Sequence, residues 1–123
     1  MILPRYGHPV EGERPRNEPV VSVDAVGDAV VVRLAGDLDL YNVEQVRAGL
    51  AGAIDRSPSR LVVDAREVEF IDSTALGALV DAHRKCTGGL RIAGPQDPIR
   101  RALQVSGIDR HLTVHDSVDD ALA

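Results

Sequence analysis

A short polar segment, Asp72-Ser73-Thr74, contains the side chains best placed for chemistry in this sequence. The aspartate is a good helix N-cap, because its carboxylate can accept hydrogen bonds from the unpaired N–H groups of a first helical turn. Leu76 and Val80 follow at helical spacing, so the two hydroxyl residues fall at the first two helical positions. Unpaired N–H groups and the positive end of the helix dipole converge there, and such a position can hold a phosphate attached to Ser73.

Enzymatic use of Ser73 is disfavoured by its surroundings. A serine hydrolase needs the pattern Gly-x-Ser-x-Gly, but Ile71 and Ala75 occupy the two glycine positions around Ser73. His83 lies about three turns further along the predicted helix, at roughly 1.5 Å per residue, and this is too far for a general base acting on Ser73. We therefore expect that the chain is not an enzyme.

Metal and nucleotide-loop chemistry also has little support in the sequence. His111 and His115 fall on a predicted strand, where positions four apart are separated by about 13 Å, too far to share a metal ion. The glycines form neither a Gly-x-Gly-x-x-Gly motif nor a Walker loop. Acidic residues at predicted strand ends are candidates for Mg²⁺, but roles as caps and loop residues are favoured. These acids are Asp37, Asp39, Asp64 and Asp72. We expect no metal and no cofactor.

The elements that must position Asp72-Ser73-Thr74 are strands and helices in alternation. Mostly apolar runs predict strands at residues 20–26, 29–35, 60–65, 90–94 and 111–115. Four helices are predicted to begin at the capping residues Asn42, Asp72, Asp97 and Ser117, with Gln45 completing a capping box with Asn42. This order predicts an α/β fold, with a mixed, mostly parallel sheet, about four helices and a central strand at residues 61–64.

Composition limits the classes of partner that the chain can bind. The net charge is -5, and no basic cluster is interleaved with aromatic residues, so we expect no nucleic-acid binding. No apolar run reaches membrane-spanning length, so we expect no membrane insertion. Cys86 is the single cysteine, which excludes an internal disulfide and indicates a reducing cytoplasm. We expect its thiol to be reduced, with no metal-binding or redox role.

The N-terminal segment differs in composition from the rest of the chain. Residues 1–18 combine prolines, glycines and charged side chains, and they contain too little apolar surface to fold alone. We predict a flexible tail for residues 1–18. Residues 19–123 are predicted to form one domain, because they are long enough to enclose a hydrophobic core.

Two motifs give the sequence a resemblance to a known family. One is the acidic loop Gly36-Asp37-Leu38-Asp39, and the other is the segment from Phe70 to Gly77, which contains Asp72-Ser73-Thr74. With the predicted strand at residues 61–64 between them, they resemble a STAS domain. More narrowly, the sequence is similar to the anti-anti-sigma factors, which are antagonists of anti-sigma factors. The resemblance covers about residues 20–123.

The resemblance implies a function in partner switching. Unphosphorylated family members bind an anti-sigma factor that is also a serine/threonine kinase using ATP, and they thereby free a sigma factor. The kinase phosphorylates the serine that follows the aspartate, which releases the antagonist, and a phosphatase restores it. On this pattern Ser73 is the phosphoacceptor. The residues implied in partner binding are Asp37, Asp39, Asp72, Ser73, Thr74 and Leu76.

Two small residues follow the serine in the predicted helix. Ala75 stands where the family often has glycine, which makes the local backbone less permissive. Gly77 is predicted to be a small residue that allows close packing of the helix on the sheet.

Two alternative functions remain open from the sequence. One is a STAS module that is not phosphorylated and that binds a small ligand or a nucleotide, or acts as a scaffold or transporter-associated partner. The other is an ATP-using or hydrolytic enzyme. A kinase reaction followed by intact mass would separate the first from an anti-sigma factor antagonist, and a turnover assay would detect the second.

Overall fold

Strands and helices alternate along the computed structural model, which describes residues 18–123. The strands, numbered β1 to β5 in chain order, are Val20–Val26, Ala29–Leu38, Arg60–Ile71, Leu90–Ala93 and Thr113–His115. The helices, numbered α1 to α4, are Val43–Ile54, Ser73–Lys85, Asp97–Ser106 and Val118–Leu122, with a 3₁₀ turn at Ile108–Arg110. None of the helices in residues 18–123 is both long and apolar enough to cross a bilayer. The tail predicted for residues 1–18 lies outside the described residues, except for Glu18.

The sheet has the strand order β1-β2-β3-β4-β5, so β3 is the central strand. β1 and β2 are antiparallel and are joined by a turn at Gly27-Asp28, where Gly27 has a φ of 62° that favours glycine. The pairs β2–β3, β3–β4 and β4–β5 are all parallel. The predicted α/β fold, with its mixed, mostly parallel sheet, four helices and central strand, is confirmed.

Most of the hydrophobic core lies on one face of the sheet. α1, α2 and α3 pack there against alternate residues of β2, β3 and β4, and the buried side chains include Val63 and Leu79. The short helix α4 covers part of the opposite face, where Ala121 packs with Val31 and Val62. Burying an aliphatic side chain of this size contributes about 1.5–3 kcal/mol, so the three helices on the main face are held firmly against the sheet.

β2 and β3 continue further than the sequence predicts, and this extension positions the two motifs. The predicted strands ended at residues 35 and 65, whereas β2 runs to Leu38 and β3 to Ile71. β3 is paired with β4 only as far as Asp64, so its second half pairs with β2 alone and tolerates charged, solvent-facing residues. Asp37 lies opposite Phe70, and Leu38 opposite Ile71. Three of the four residues of the predicted acidic loop, Gly36, Asp37 and Leu38, therefore belong to β2, and the chain after Leu38 and the start of α2 leave the sheet side by side.

Asp64 is a buried carboxylate on β3, facing away from the main core. Its two oxygens accept hydrogen bonds from Arg66, from Nε at 2.9 Å and from Nη2 at 2.7 Å, and Arg33 Nε lies 3.6 Å from Oδ2. Burial raises the pKa of Asp64, but the hydrogen bonds and charge of Arg66, with the charge of Arg33, outweigh it and lower the pKa below 3.8. Within residues 18–123, no three potential metal-ligating side chains come together.

This carboxylate should make stability depend on pH. A folded-state pKa below the unfolded value adds stability above the unfolded pKa, near 3.8, and the added stability is lost as pH falls through the folded value. We expect Asp64→Asn to lower the free energy of unfolding by about 1–3 kcal/mol at pH 7, and the difference from wild type to shrink below about pH 4. Urea unfolding between pH 3 and 7 measures this, with exposed Asp24→Asn as the control. A stability difference between Asp64→Asn and wild type that is constant from pH 3 to 7 would contradict the lowered pKa of Asp64.

Candidate functional site

Helix α2 begins as predicted, with Asp72 as its N-cap. Asp72 has extended backbone geometry, and its Oδ1 accepts a hydrogen bond from the backbone N–H of Ala75 at 3.0 Å. Ser73 and Thr74 are the first two helical residues, the serine exposed and the threonine half-buried. Ala75 is buried in the core and fixes the rotation of the helix about its axis, so Ser73 lies on the accessible surface at the N-terminal end of α2.

The second oxygen of Asp72 connects this helix to the loop of residues 39–42, between β2 and α1. Asp72 Oδ2 accepts a hydrogen bond from the backbone N–H of Leu40 at 3.0 Å. The backbone N–H of Asp72 donates in turn to the carbonyl of Leu38, also at 3.0 Å. One side chain therefore caps α2 and holds the loop beside Ser73, because each carboxylate oxygen has a different donor.

Asn42 precedes α1 as predicted, but the capping box predicted for it with Gln45 is wrong. The side chain of Asn42 makes no capping hydrogen bond; only its backbone carbonyl accepts from Gln45 N–H, at 3.0 Å. Instead, Asn42 Oδ1 accepts from the N–H of Asp39 at 3.0 Å, and Nδ2 donates to the carbonyl of Asp37 at 2.7 Å. The amide is buried, so its polar atoms need internal partners, and the loop supplies them.

The loop of residues 39–42 is shaped by these hydrogen bonds rather than by a regular element. In addition to the Asn42 bonds, Asp39 Oδ1 accepts from the N–H of Tyr41 at 3.0 Å, which closes a tight turn. Asp37 is exposed at the end of β2, and Asp39 is half-buried. Each bend of the loop is thus fixed by a side chain, and we expect it to be rigid in the free protein.

The structure brings most of the predicted site residues to one end of the molecule. Asp37, Asp39, Asp72, Ser73 and Thr74 all lie at the end of β2 or on the loop and helix start that the hydrogen bonds of Asp72 join. Leu76, the remaining residue, packs part of its side chain against the main core. It is half-buried, so it offers less surface to a partner than the resemblance implied.

Three exposed apolar residues beside this site were not predicted as site residues. Exposed fractions are 64% for Leu40, 92% for Tyr41 and 52% for Phe70. β3 carries one extra residue relative to β2 between Val68 and Phe70, and after this irregularity Phe70 lies opposite exposed Asp37. One signal was available in the sequence: Tyr41 and Phe70 are two of only three aromatic residues in the chain.

Gly77 does not have the packing role predicted for it. A Cβ atom built on Gly77 would meet no other atom within 4 Å, so the fold does not need a missing side chain there. Glycine inside a helix is less favourable than alanine by about 0.8–1.0 kcal/mol. Gly77 lies four residues after Ser73, and residues at this spacing share a helix face. The open space beside Gly77 therefore lies on the face of α2 that also carries Ser73.

Two side chains that an enzyme could use, those of His83 and Cys86, lie away from Ser73. His83 Nδ1 accepts a hydrogen bond from the backbone N–H of Leu90 at 3.0 Å, which joins the end of α2 to β4. Cys86, at the C-cap of α2, is a free and buried thiol. Both residues lie at the far end of α2 from Ser73. That the chain has no enzymatic activity stays a prediction.

Comparison with known proteins identifies the family. The family model of the STAS domain matches residues 20–121, which include all five strands and the site described above. The chain belongs to the STAS domain family. The resemblance drawn from the two sequence motifs is thereby confirmed.

Relatives of this STAS domain are anti-sigma factor antagonists. An anti-sigma F factor antagonist of Paenibacillus polymyxa is 27% identical over 97 residues, which cover 76% of this chain and 83% of the relative. The crystal structure of an anti-sigma factor antagonist from Mycobacterium paratuberculosis has a TM-score of 0.81 at 24% identity, covering 88% of this chain and 94% of that one.

The anti-sigma factor antagonist SpoIIAA is similar in two solved forms. Its unphosphorylated form has a TM-score of 0.69 at 25% identity, covering 82% of this STAS domain and 90% of that chain. Its phosphorylated form, from Bacillus, has a TM-score of 0.61 at 25% identity, covering 82% and 95%.

Proposed function

We propose that this STAS domain is an anti-sigma factor antagonist whose unphosphorylated form binds an anti-sigma factor with serine kinase activity and so frees a sigma factor. Phosphorylation of Ser73 ends this binding. A phosphatase in the cytoplasm removes the phosphate and so restores binding. One observation carries the proposal: Ser73 is exposed at the start of α2, beside a loop that Asp72 holds in place. The relationship to SpoIIAA, known in both phosphorylation states, supports it.

The position of Ser73 suits a phosphoryl acceptor. In the transfer, Ser73 Oγ bonds to the γ-phosphorus of ATP, the bond to the leaving ADP breaks, and the hydroxyl proton passes to a base on the kinase. The reacting atoms must approach to about 3–3.5 Å, which an exposed hydroxyl at a helix terminus permits. In the bound state, the nucleotide phosphates of the kinase therefore face this end of α2.

Charge explains why phosphorylation would release the partner. A phosphoserine adds roughly -1.5 to -2 charges beside Asp72 and close to Asp37 and Asp39. The positive end of the α2 dipole stabilises a negative charge at the helix start by about 0.3–1 kcal/mol, so the folded domain tolerates the phosphate. A dianion enclosed against the partner and facing the phosphates of ADP, without a cation, is costly. The modification therefore acts on the interface and leaves the fold intact.

A capture experiment tests the proposed function. The unphosphorylated chain is immobilised and exposed to purified anti-sigma factor kinases of its own organism, with ADP, and bound protein is measured. We expect one kinase to be retained and its sigma factor to be excluded from the complex. Failure to retain any of them, with circular dichroism showing a folded chain, would refute the function.

Gly77 gives a prediction in which stability and binding change in opposite directions. We expect Gly77→Ala to raise the free energy of unfolding by about 0.8–1.0 kcal/mol, because alanine is the better helix former. It should also weaken binding by about tenfold, because the new methyl group stands where the partner approaches the face of α2 next to Ser73. Urea unfolding and binding titrations with the captured kinase measure the two effects.

Gly52 in α1 is the matched control for Gly77. It is also inside a helix, and a Cβ built on it would likewise meet no atom within 4 Å. Gly52→Ala should stabilise the protein by a similar amount and leave binding unchanged. Equal effects of the two substitutions on binding would show that Gly77 does not lie under the partner.

A further inference from the structure

Leu40, Tyr41 and Phe70, the apolar cluster, lie on neighbouring backbone segments, because the N–H of Leu40 is bonded to Asp72, two residues after Phe70, and none of the three packs in a hydrophobic core. Among residues 18–123, five large hydrophobic residues are exposed, and three of them, Leu40, Tyr41 and Phe70, lie at the Ser73 end of the molecule. The other two, Val26 and Val105, stand alone at the end of β1 and near the end of α3. Single exposed apolar residues are ordinary, whereas a cluster of them marks an interaction surface.

Specific contacts hold this cluster in place in the free protein. The N–H of Leu40 is bonded to Asp72, and the N–H of Tyr41 to Asp39, both at 3.0 Å. Phe70 lies on β3, opposite Asp37 of β2. Because the backbone under all three side chains is fixed, this chain loses little backbone conformational entropy when a partner binds them.

Acidic residues predominate around the cluster, because the arginines that border its two chain segments, Arg33, Arg47 and Arg66, are already paired with Asp64 or Asp81. The two chain segments that form this end, residues 34–46 and 67–82, contain seven acidic residues and no lysine or arginine. The acids are Asp37, Asp39, Glu44, Glu67, Glu69, Asp72 and Asp81. Of these, Asp81 is paired with Arg47 at 2.8 Å, further along α2. A surface that is complementary to this end must therefore combine an apolar centre with basic residues beside it.

We infer that Leu40, Tyr41 and Phe70 are the apolar anchor by which the chain binds its anti-sigma partner, which supplies an apolar pocket with lysine or arginine on the side that faces Glu67 and Glu69 and none on the side that faces Ser73. This inference rests on the proposed function and adds the chemistry of the partner surface to it. Aromatic side chains that become fully desolvated dominate the energy of many interfaces, and Tyr41 and Phe70 are the two available at this site. The anchor then supplies most of the binding energy, while the phosphorylation state of Ser73 beside it determines whether the two surfaces can come into contact.

Truncation of the anchor tests the inference. Tyr41→Ala and Phe70→Ala are compared with Val105→Ala, which truncates an apolar side chain on α3 whose exposure lies between those of Phe70 and Tyr41. Binding is titrated with the anti-sigma kinase that the wild-type chain captures, and thermal unfolding is followed in parallel. We expect each anchor variant to bind at least tenfold more weakly and Val105→Ala to bind like wild type. Phe70→Thr keeps strand propensity on β3 and should also bind weakly if the side chain itself is the contact.

The basic side of the pocket is tested by salt. Association of the wild-type chain with the kinase should slow as ionic strength rises from about 0.05 to 0.5 M, because opposite charges at the rim steer the encounter. Anchor variants that bind like wild type, or association that is independent of salt, would overturn the inference while leaving the proposed function standing. If the wild-type chain captures no anti-sigma kinase, the proposed function fails, and the anchor assignment fails with it.

Discussion

Stoichiometric phosphorylation of Ser73 is expected to weaken binding of the anti-sigma partner by at least a hundredfold, about 2.7 kcal/mol. Ser73 is exposed at the helix start, so the added group projects into the interface rather than into the core. It meets Asp72 on its own chain and the nucleotide phosphates on the partner, and no lysine or arginine of residues 67–82 is available to neutralise it. Isothermal titration of the modified and unmodified chains measures the change.

Substitutions at Ser73 separate the effect of its hydroxyl group on binding from the effect of an added negative charge. Ser73→Ala should bind like wild type and resist phosphorylation, because the unmodified surface loses a single hydroxyl. Ser73→Glu should bind with intermediate affinity, since a carboxylate carries less charge than a phosphate. Thr74→Ala is the matched control and should still be phosphorylated, because Thr74 is half-buried one step further into α2. Phosphate mapped to Thr74, or unchanged binding after full modification of Ser73, would contradict the assignment.

Loss of the Asp72 side chain is expected to be the most damaging single change for the architecture of the site. Asp72→Ala removes the acceptor of the Ala75 N–H and of the Leu40 N–H. An N-cap is worth about 0.5–2 kcal/mol and a hydrogen bond to a charged group about 1.5–3 kcal/mol, less where water can replace it. We expect the free energy of unfolding to fall by about 2–3 kcal/mol, and phosphorylation of Ser73 to slow as the loop separates from the helix.

A second variant distinguishes the cap from the connection to the loop. Asp72→Asn keeps a good N-cap, but its amide has one acceptor oxygen in place of two, so the bond to Leu40 is lost. It should recover most of the stability and still phosphorylate slowly. Ser117→Ala, which removes the N-cap of α4 remote from Ser73, is the control that lowers stability alone. If Asp72→Asn were phosphorylated at the wild-type rate, the loop connection would be irrelevant to the kinase.

Much of the fold was predictable because local patterns decide it. Aliphatic runs such as residues 60–65 are typical of strands in a sheet that is covered on both faces. Asp72 caps α2 through a hydrogen bond to a residue only three positions further along the sequence. The motif around Ser73 was found for the same reason. The extension of β3 to Ile71 was missed because its charged second half breaks the apolar pattern, and only its pairing with β2 maintains the strand.

The rest of the site depends on contacts between distant parts of the chain. Asn42 has the residue type of a cap, but burial forces its amide to bond the loop instead. The bond between Leu40 and Asp72 joins residues 32 positions apart and leaves no local signature. The exposure of Phe70 follows from a register shift between two strands, and the open space at Gly77 follows from which face of α2 the sheet covers.

The most direct test of the proposed switch is sigma-factor release. The complex of the sigma factor with the anti-sigma kinase is titrated with the unmodified chain and with the chain phosphorylated on Ser73, and free sigma factor is measured by its binding to RNA polymerase. We predict stoichiometric release by the unmodified chain and none by the phosphorylated one at the same concentrations. Equal release by both forms, or release by neither, would contradict the account.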